Sequence, residues 1–317
     1  MTPQSNSPGL SVGVDIGGTK TDAVLLSAEG TVLEHFRAPT GFGPEAVIRT
    51  TVRAVEELAN AMNLLPSEFS SIGVGIPGRV DSSSGTVAHA VNLGLKGLEL
   101  GPVLGRRLGV EVRVENDVNA AAIGTFHLFG LDPRSSMAYL NLGTGLAAGL
   151  VLQGALWRGF GGSAGEIGHI PVDPGGPVCP CGQRGCLEMA ASGSAIARMW
   201  PTNHDRPVHE LFAKAASGHE EAIGVRDRLS ENIAAAVRIL VLTMDVDVVV
   251  IGGGLTSAGA PLLESVQSVL SRWASESAFI GSLELEKRMR LLDPGSESGD
   301  ENSQLVAARG AAHLGSL

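Results

Sequence analysis

The sequence predicts an α/β protein that is built from two related halves. Apolar runs of strand length alternate along the chain with amphipathic stretches of helix length. Two hairpins, at residues 10–27 and 136–153, each join two such strands through a glycine-rich turn. The shared layout of these hairpins indicates that each half of the chain contributes one of them.

Composition and charge narrow the class of protein. The chain has 317 residues, 44% hydrophobic and 18% charged, which suits one large globular unit or two domains. Its net charge of −10 argues against non-specific binding to nucleic acids or to an anionic membrane surface. Residues 1–9 are predicted to be a disordered tail without a signal segment, and the longest apolar stretch, 233–251, contains three charged residues. We therefore expect a cytoplasmic protein with no membrane or nucleic-acid partner.

The first hairpin consists of strands 10–16 and 21–27, and a third strand follows at 32–37. A P-loop or a Rossmann fingerprint would need a helix after the glycines, so this hairpin is neither. Its turn can nevertheless bind phosphate oxygens through backbone amides, with a carboxylate to hold Mg²⁺ and an ammonium group to add positive charge. The residues concerned are Asp15, Gly17, Gly18, Thr19 and Lys20. An ordinary glycine-turn hairpin explains the same pattern.

A helix at 44–62 and a strand at 71–76 come next. The strand ends in Pro77-Gly78, where glycine allows a ligand to approach the backbone closely. Asn92 lies in the loop beyond, and a plain turn explains that loop equally well.

A strand at 111–114 leads through Glu115 into Asn116 and Asp117, and a helix follows at 118–129. Open α/β sheets place their ligands at such strand-to-helix junctions. Asn and Asp are also common helix caps, so these two residues either cap the helix, bind a ligand, or do both.

The second hairpin joins strands 136–142 and 146–153 through Gly143, Thr144 and Gly145. Two such hairpins facing one another would clamp a nucleotide between domains.

Farther along, a strand at 246–251 ends in Gly252, Gly253 and Gly254, on whose backbone a base or ribose can lie. A tight strand-to-helix turn is the alternative for these three glycines. Helices are predicted at 192–199, 208–216, 220–244, 261–273 and 304–314, and a flexible polar segment at 295–302.

All three cysteines of the chain lie within eight residues of one another. The pattern is His169-x9-Cys179-x-Cys181-x4-Cys186, and three thiolates with one imidazole make the closed tetrahedral site of a structural zinc ion. Glycines and prolines between 174 and 185 exclude a helix or a central strand, so the loop needs another source of order. Unconnected buried cysteines, or a disulfide that leaves one thiol over, are the alternatives, and the clustering favours zinc.

Two carboxylates, Glu166 and Glu188, flank the segment 169–186, here called the cysteine loop. A bound zinc ion would fix both in space, and rigid carboxylates accept hydrogen bonds from sugar hydroxyl groups. A zinc-dependent hydrolase would need an open coordination position, which four protein ligands leave no room for.

Taken together, these motifs resemble those of the ROK family of sugar kinases in the actin-like ATPase superfamily. They follow the order of that family over residues 12–254: Asp15-x-Gly-Gly-Thr-Lys20, Gly75-x-Pro-Gly78, Glu115-Asn-Asp117, Gly143-Thr-Gly145, Glu166-x-Gly-His169, Cys179-x-Cys-Gly-x-x-Gly-Cys186-x-Glu188 and Gly252-Gly-Gly254.

The resemblance implies a two-domain actin-like ATPase (ribonuclease H-like) fold, with mixed sheets flanked by helices and a cleft between the domains. A small domain would comprise residues 10–117 and 303–317, closed by the C-terminal helix, and a large domain with the zinc loop would comprise 118–302. A homodimer is the expected assembly.

The resemblance also implies roles for individual residues. Asp117 would be the catalytic base. Sugar hydroxyl groups would be bound by Asn116, Asp117, Glu166, His169 and Glu188, with Gly78 and Asn92 as further contacts. The nucleotide would be bound by Asp15, Gly17, Gly18, Thr19, Lys20, Gly143, Thr144, Gly145, Gly252, Gly253 and Gly254. Structural zinc would be held by His169, Cys179, Cys181 and Cys186.

The implied reaction is ATP- and Mg²⁺-dependent phosphorylation of the 6-hydroxyl of a hexose, with glucose as the leading substrate. An N-acetylhexosamine, either N-acetylglucosamine or N-acetylmannosamine, is the alternative within the same chemistry. The family also contains sugar-responsive transcriptional regulators with an N-terminal helix-turn-helix. Only eleven residues precede Val12 here, which is too few for that module.

Overall fold

The computed structural model describes residues 9–292 and 304–316. The chain divides into two compact units, the first formed by residues 1–131, 158–163 and 304–317, and the second by residues 132–157 and 164–303. Most of the predicted N-terminal tail, and the polar segment predicted at 295–302, lie outside the described residues. No helix in the described part of the chain is long and apolar enough to cross a membrane.

The strands and helices predicted from the sequence are all present, together with shorter elements that were not predicted. In chain order the strands are β1 (Ser11–Ile16), β2 (Lys20–Leu26), β3 (Val32–Pro39), β4 (Ser71–Ile76), β5 (Arg79–Asp81), β6 (Thr86–Ala90), β7 (Leu95–Leu98), β8 (Val112–Asn116), β9 (Met137–Leu142), β10 (Leu146–Leu152), β11 (Ala155–Leu156), β12 (Val248–Gly252) and β13 (Met289–Leu291). The helices are α1 (Pro44–Ala61), α2 (Leu100–Leu108), α3 (Asp117–Leu128), α4 (Gly193–Met199), α5 (Pro207–Ala216), α6 (Glu220–Met244), α7 (Ala260–Glu276), α8 (Ala278–Ser282), α9 (Leu285–Arg288) and α10 (Val306–His313).

The main sheet of the first unit has the strand order β3-β2-β1-β4-β8. Strand β1 is antiparallel to β2 and parallel to β4, and β4 is parallel to β8. Helices α1 and α2 share an apolar core with one face of this sheet, and α3 and α10 pack on the other side. A smaller antiparallel sheet, β5-β6-β7, completes the unit.

Glycines allow α10 to lie directly on the sheet and on α3. A Cβ atom on Gly13 or Gly73 would overlap the backbone of α10, and the same holds for Gly124 of α3. Conversely, a Cβ atom on Gly310 of α10 would overlap the backbone of α3 at Ala120. Because only glycine permits such close approach, these four positions allow α10 to pack against both the sheet and α3.

The main sheet of the second unit repeats the first, with the order β11-β10-β9-β12-β13. Here β9 is antiparallel to β10 and parallel to β12, and β12 is parallel to β13. In the first sheet Asp15, one residue before the end of β1, is opposite Gly75. In the second sheet Asn141, one residue before the end of β9, is opposite Gly252. The repeated topology confirms that the chain consists of two related halves.

The two compact units differ from the expected domains, 10–117 with 303–317 and 118–302, chiefly in the assignment of helix α3. It belongs to the first unit, which extends to residue 131, because its glycine-mediated packing is with α10. The short segment 158–163 belongs to the first unit as well. The expected division into folding domains stays a prediction.

Candidate functional site

In the first unit, the candidate site residues collect where three adjacent parallel strands end. Asp15 is next to the last residue of β1, Gly78 follows β4, and Asn116 ends β8. A Cβ atom on Gly75 would lie 3.1 Å from the Cβ atom of Ala120 and 3.6 Å from the Cα atom of Asp117, so the first turn of α3 packs directly against β4. The carboxyl ends of parallel strands are where open α/β sheets bind ligands.

Asn116 both caps α3 and ties it to the strand exit at Gly78. Its Oδ1 atom accepts hydrogen bonds from the amides of Val118 at 2.9 Å and Asn119 at 3.2 Å, and its Nδ2 group donates to the Gly78 carbonyl at 3.1 Å. Asp117 is the first residue of α3, and its Oδ1 atom also accepts from the Val118 amide, at 3.0 Å. The cap and the site are therefore the same structure, and the cap makes the position of the carboxylate rigid.

A cluster of carboxylates surrounds the end of β1. Burial raises the pKa of Asp15 to about 7, with smaller contributions from the negative charges of Asp117 and Asp22 and an opposing one from Lys20. Asp22 is itself buried and accepts a hydrogen bond of 2.5 Å from the Nε atom of Arg37. A cation bound beside Asp15 would relieve this accumulation of acidic groups, and oxygen ligands of this kind are those that Mg²⁺ prefers.

The turn between β1 and β2 uses one of its amides internally. The Gly17 amide donates to the Lys20 carbonyl at 2.9 Å, so that N–H group is occupied within the hairpin. The amides of Gly18 and Thr19 are therefore the candidates for binding phosphate in this turn. Lys20 is exposed. A Cβ atom on Gly18 would lie 3.7 Å from the Cβ atom of Asn92. The turn Val91–Leu93 with Gly94, here called the Asn92 loop, is therefore beside the hairpin turn.

In the second unit, the start of α4 lies against the matching hairpin turn, Gly143–Gly145. The amide of Gly193 donates to the Gly143 carbonyl at 2.8 Å, and the amide of Ser194 donates to the Thr144 carbonyl at 3.1 Å. Glycine at position 253 has a φ of 89°, and a Cβ atom there would lie 2.5 Å from the carbonyl carbon of Leu142. The triple glycine Gly252–Gly254 is therefore beside this turn.

Glu188 connects the cysteine loop to the same turn. It lies two residues after Cys186, in a short 3₁₀ turn, and its Oε2 atom accepts a hydrogen bond of 3.0 Å from the Leu146 amide. A Cβ atom on Gly145 would overlap this carboxylate. The position of Glu188 thus depends both on the cysteine loop and on the hairpin.

The predicted metal ligands come together in the structure. The donor atoms of His169, Cys179, Cys181 and Cys186 all lie within 4.8 Å of one another. The Nδ1 atom of His169 is 3.8 Å from the Cys179 sulfur, and the sulfurs of Cys181 and Cys186 are 3.7 Å apart. Ligands placed about 2.3 Å from a central zinc ion form a tetrahedron with edges of about 3.8 Å, so these residues fit the ion.

The chemistry of the thiols also suits a cation. Hydrogen bonds from the backbone and side chain of Gln183 lower the pKa of Cys181 to about 6, which favours its thiolate. Desolvation, followed by the neighbouring thiols, raises the pKa of Cys186 to about 12, and desolvation also raises that of Cys179. Thiolates this close together repel one another, and a divalent cation would remove that repulsion.

Two further predicted residues lie on the N-terminal side of the cysteine loop. Glu166 is exposed and immediately precedes the 3₁₀ turn Ile167–His169. His169 is half-buried, and its carbonyl accepts a hydrogen bond of 3.1 Å from the Gln183 side chain. The spacing of three residues therefore places Glu166 and the candidate metal ligand His169 at the two ends of one tight turn.

Each unit thus assembles its own set of the predicted residues. In the first unit these are Asp15, the Gly17–Lys20 turn, Gly78, Asn92, Asn116 and Asp117; in the second they are the Gly143–Gly145 turn, Glu166, the four predicted metal ligands, Glu188 and Gly252–Gly254. Sequence reasoning missed Thr40, which hydrogen-bonds the first turn, and Arg158, which pairs with Glu115. Glu115 belongs to the motif Glu115-Asn-Asp117, but neither Thr40 nor Arg158 belongs to a motif that indicates its role.

Comparisons with known proteins show the family and the fold to which the chain is similar. The ROK family model matches residues 11–291 of the chain. A glucokinase from Halalkalibacterium halodurans is 32% identical over 282 residues, which cover 83% of this chain and 86% of the relative. A ROK hexokinase structure from Thermus thermophilus has a TM-score of 0.77 at 30% identity, and the alignment covers 95% of this chain and 97% of the hexokinase chain.

A further solved structure contains ligands. It is a ROK family glucokinase from Streptomyces griseus in complex with glucose and AMPPNP, with a TM-score of 0.75 at 29% identity, covering 96% of this chain and 99% of its own. These similarities confirm the predicted fold class, an α/β fold of the actin-like ATPase type with mixed sheets and flanking helices.

Proposed function

This chain belongs to the ROK family, and from that premise we propose that it is a sugar kinase that transfers the γ-phosphoryl group of ATP to the 6-hydroxyl of glucose. The observation that carries the proposal is the junction at the end of β8. Asn116 caps α3 and binds the Gly78 carbonyl, and this holds the Asp117 carboxylate rigidly at the carboxyl ends of three strands. The glucokinase relative and the glucose-bound and AMPPNP-bound structure support the same substrates.

Asp117 acts as the catalytic base. Phosphoryl transfer proceeds through a loose transition state and depends more on positioning than on a strong base. Asp117 therefore has to orient the 6-hydroxyl and accept its proton as the bond to phosphorus forms. Asn116, whose amide already binds Gly78, contacts the sugar beside it, and Gly78 and Asn92 add further contacts.

The hairpin turns act on the phosphates. The amides of Gly18 and Thr19 in the turn Gly17–Lys20, together with amides of the turn Gly143–Gly145, bind phosphate oxygens. Lys20 contributes positive charge, and the backbone of Gly252–Gly254 receives the nucleoside. Mg²⁺ held at Asp15, directly or through water, would neutralise charge on the transferred group.

The cysteine loop holds the side chains that bind the sugar in place. Glu166, His169 and Glu188 accept or donate hydrogen bonds to sugar hydroxyl groups, and the loop fixes them. A zinc ion bound by His169, Cys179, Cys181 and Cys186 would supply folding stability and no reaction step, because no ligand position is open.

We further propose that the enzyme works as a homodimer, which light scattering on the purified protein tests.

The experiment that tests the proposed function couples ADP release to a panel of sugars at saturating Mg·ATP. We expect turnover with glucose that exceeds turnover with N-acetylglucosamine and N-acetylmannosamine. Preference for an N-acetylhexosamine would replace the proposed substrate by the alternative. No turnover with any hexose or N-acetylhexosamine would reject the kinase assignment.

A further inference from the structure

We propose that the segment Thr40–Gly43, here called the bridging segment, couples the phosphate turn Gly17–Thr19 to the Asn92 loop, with Thr40 as the positioning residue on the nucleotide side. The bridging segment lies between β3 and α1, and all three elements belong to the first unit. The inference rests on the proposed function, since it assigns the turn to nucleotide and the loop to sugar.

Thr40 anchors the turn through both its backbone and its side chain. Its amide donates to the Thr19 carbonyl at 3.1 Å, and its hydroxyl donates to the Gly17 carbonyl at 2.8 Å. The hydroxyl of Thr21 lies 2.9 Å from that of Thr40, and both side chains are fully buried. A hydroxyl has one hydrogen to donate, so Thr21 donates to Thr40 and Thr40 to Gly17, in a short buried chain.

The other end of the bridging segment holds the Asn92 loop. The amide of Gly43 donates to the Leu93 carbonyl at 2.9 Å. The ring of Phe42 covers Gly94 so closely that a Cβ atom there would lie 2.6 Å from the ring carbon Cζ. Gly94 has a φ of 66°, so a side chain at this position would be strained as well as obstructed.

The bridging segment is fixed at both of its ends. The Thr40 carbonyl accepts a hydrogen bond of 3.1 Å from the Thr50 hydroxyl of α1, which fixes its start. Pro44 begins α1 directly after Gly43, which fixes its end. A shift of the Asn92 loop when sugar binds would therefore reach the Gly17 carbonyl over only four residues. Coupling of this kind is reciprocal, so nucleotide would strengthen sugar binding by the same factor.

The side chain of Phe42 contacts the Asn92 loop from the surface of the protein. Phe42 is 74% exposed although its ring lies on Gly94. An exposed aromatic ring can be truncated without leaving a cavity in the interior, so Phe42→Ala separates loss of the coupling from loss of the fold. Leu65→Ala provides a matched control, since Leu65 is an exposed apolar residue of the same unit, outside the segment.

The experiment compares Thr40→Val, Thr40→Ser, Phe42→Ala and Leu65→Ala by calorimetric binding of Mg·AMPPNP with and without glucose. Thr40→Val removes the donor at nearly constant volume, and we expect about 5- to 10-fold weaker AMPPNP binding, while Thr40→Ser and Leu65→Ala bind as wild type. Phe42→Ala should abolish the gain in AMPPNP affinity that glucose produces in the wild type. Unchanged AMPPNP affinity in Thr40→Val, or intact coupling in Phe42→Ala, overturns the inference.

Hydrogen exchange in the unliganded variants separates this inference from the proposed function. We expect Thr40→Val to raise exchange in a peptide covering residues 91–95, and Phe42→Ala to raise it in a peptide covering residues 16–20. Exchange that rises only next to each substituted residue contradicts the coupling. This readout stands even where the wild type phosphorylates no sugar, in which case the proposed function alone fails.

Discussion

The Nε atom of Arg158 donates a hydrogen bond of 2.6 Å to Glu115, whose carboxylate is only 4% exposed. The other carboxylate oxygen of Glu115 accepts from the Asn116 amide and from the Asn119 side chain, each at 3.0 Å. Arg158 is the residue at which the chain returns from the second unit to the first. One buried carboxylate therefore fixes both the incoming segment 158–163 and the start of α3.

Replacement of Arg158 by Met should destabilise the protein, because it leaves the buried charge of Glu115 without its cation. We expect the free energy of unfolding of the first unit to fall by about 1–3 kcal/mol, as for an unpaired buried polar group. Urea unfolding followed by circular dichroism measures this change.

The double variant Glu115→Gln with Arg158→Met is the control for that loss. Because the carboxamide carries no charge and can still accept from Asn119, the double variant should recover part of the stability lost in Arg158→Met. Equal stability of wild type and Arg158→Met would show that the ion pair contributes nothing.

The fold was largely predictable because most of its strands and helices have clear local sequence patterns. Apolar runs ending in glycine turns gave β1, β2, β9 and β10, and a continuous amphipathic stretch gave α6 with both ends correct. The three-stranded sheet β5-β6-β7 was missed, since its strands are only three to five residues long and carry charged or polar side chains. Strands this short depend on tertiary packing rather than on a local pattern.

The candidate site was predictable only where residues close in sequence act together. His169 and the three cysteines gave the metal cluster, and Asn116 with Asp117 gave the capped helix start. Thr40 reaches Gly17 across 23 positions and Arg158 reaches Glu115 across 43. No spacing rule encodes contacts of that range, which arise only when the sheet has formed.

Asp117→Ala should abolish most turnover while the fold and glucose binding remain. General base catalysis contributes about 10²- to 10⁴-fold, so we expect kcat to fall by that factor with little change in the dissociation constant for glucose. Asn116 remains the cap of α3 in this variant, so α3 keeps its start. Steady-state kinetics and calorimetry on the same preparation provide both numbers.

Asp117→Asn serves as the control for side-chain volume, because it keeps the shape but cannot accept the proton as a carboxylate does. It should be as inactive as Asp117→Ala. Near-normal turnover in either variant would place the base elsewhere in the chain.

Cys181→Ser should release the metal and weaken glucose binding. Cys181 is one of four donors within 4.8 Å, and Glu188 follows Cys186 by two residues, so a loosened loop frees the carboxylate that binds the Leu146 amide. Elemental analysis should find about one zinc per chain in the wild type and less in the variant. The melting temperature should fall together with the zinc content.

Zinc removal from the wild type by a chelator is the matching treatment, and added zinc should restore both stability and glucose affinity. A metal-free Cys181→Ser protein with unchanged glucose affinity would separate the loop from the sugar site.

The stacked pair His127 and His313 should make the stability of the first unit depend on pH. Their ring centroids are 4.0 Å apart, where α3 and α10 end side by side. Burial, then the charges of His127 and Arg309, lowers the pKa of His313 to about 4, and burial also lowers the pKa of His127.

A depressed histidine pKa means that the unfolded chain binds protons more readily than the folded one. The stabilising contribution is therefore complete above about pH 6.5, the unfolded value, and is lost as the pH falls from there towards 4. His313→Phe keeps an aromatic ring against His127 but removes one titrating group, so its stability should fall less between pH 7.5 and 5.5, by about 1 kcal/mol, than that of the wild type. Urea unfolding at several pH values measures the two slopes, and parallel slopes would show that His313 is protonated equally in the folded and unfolded chains.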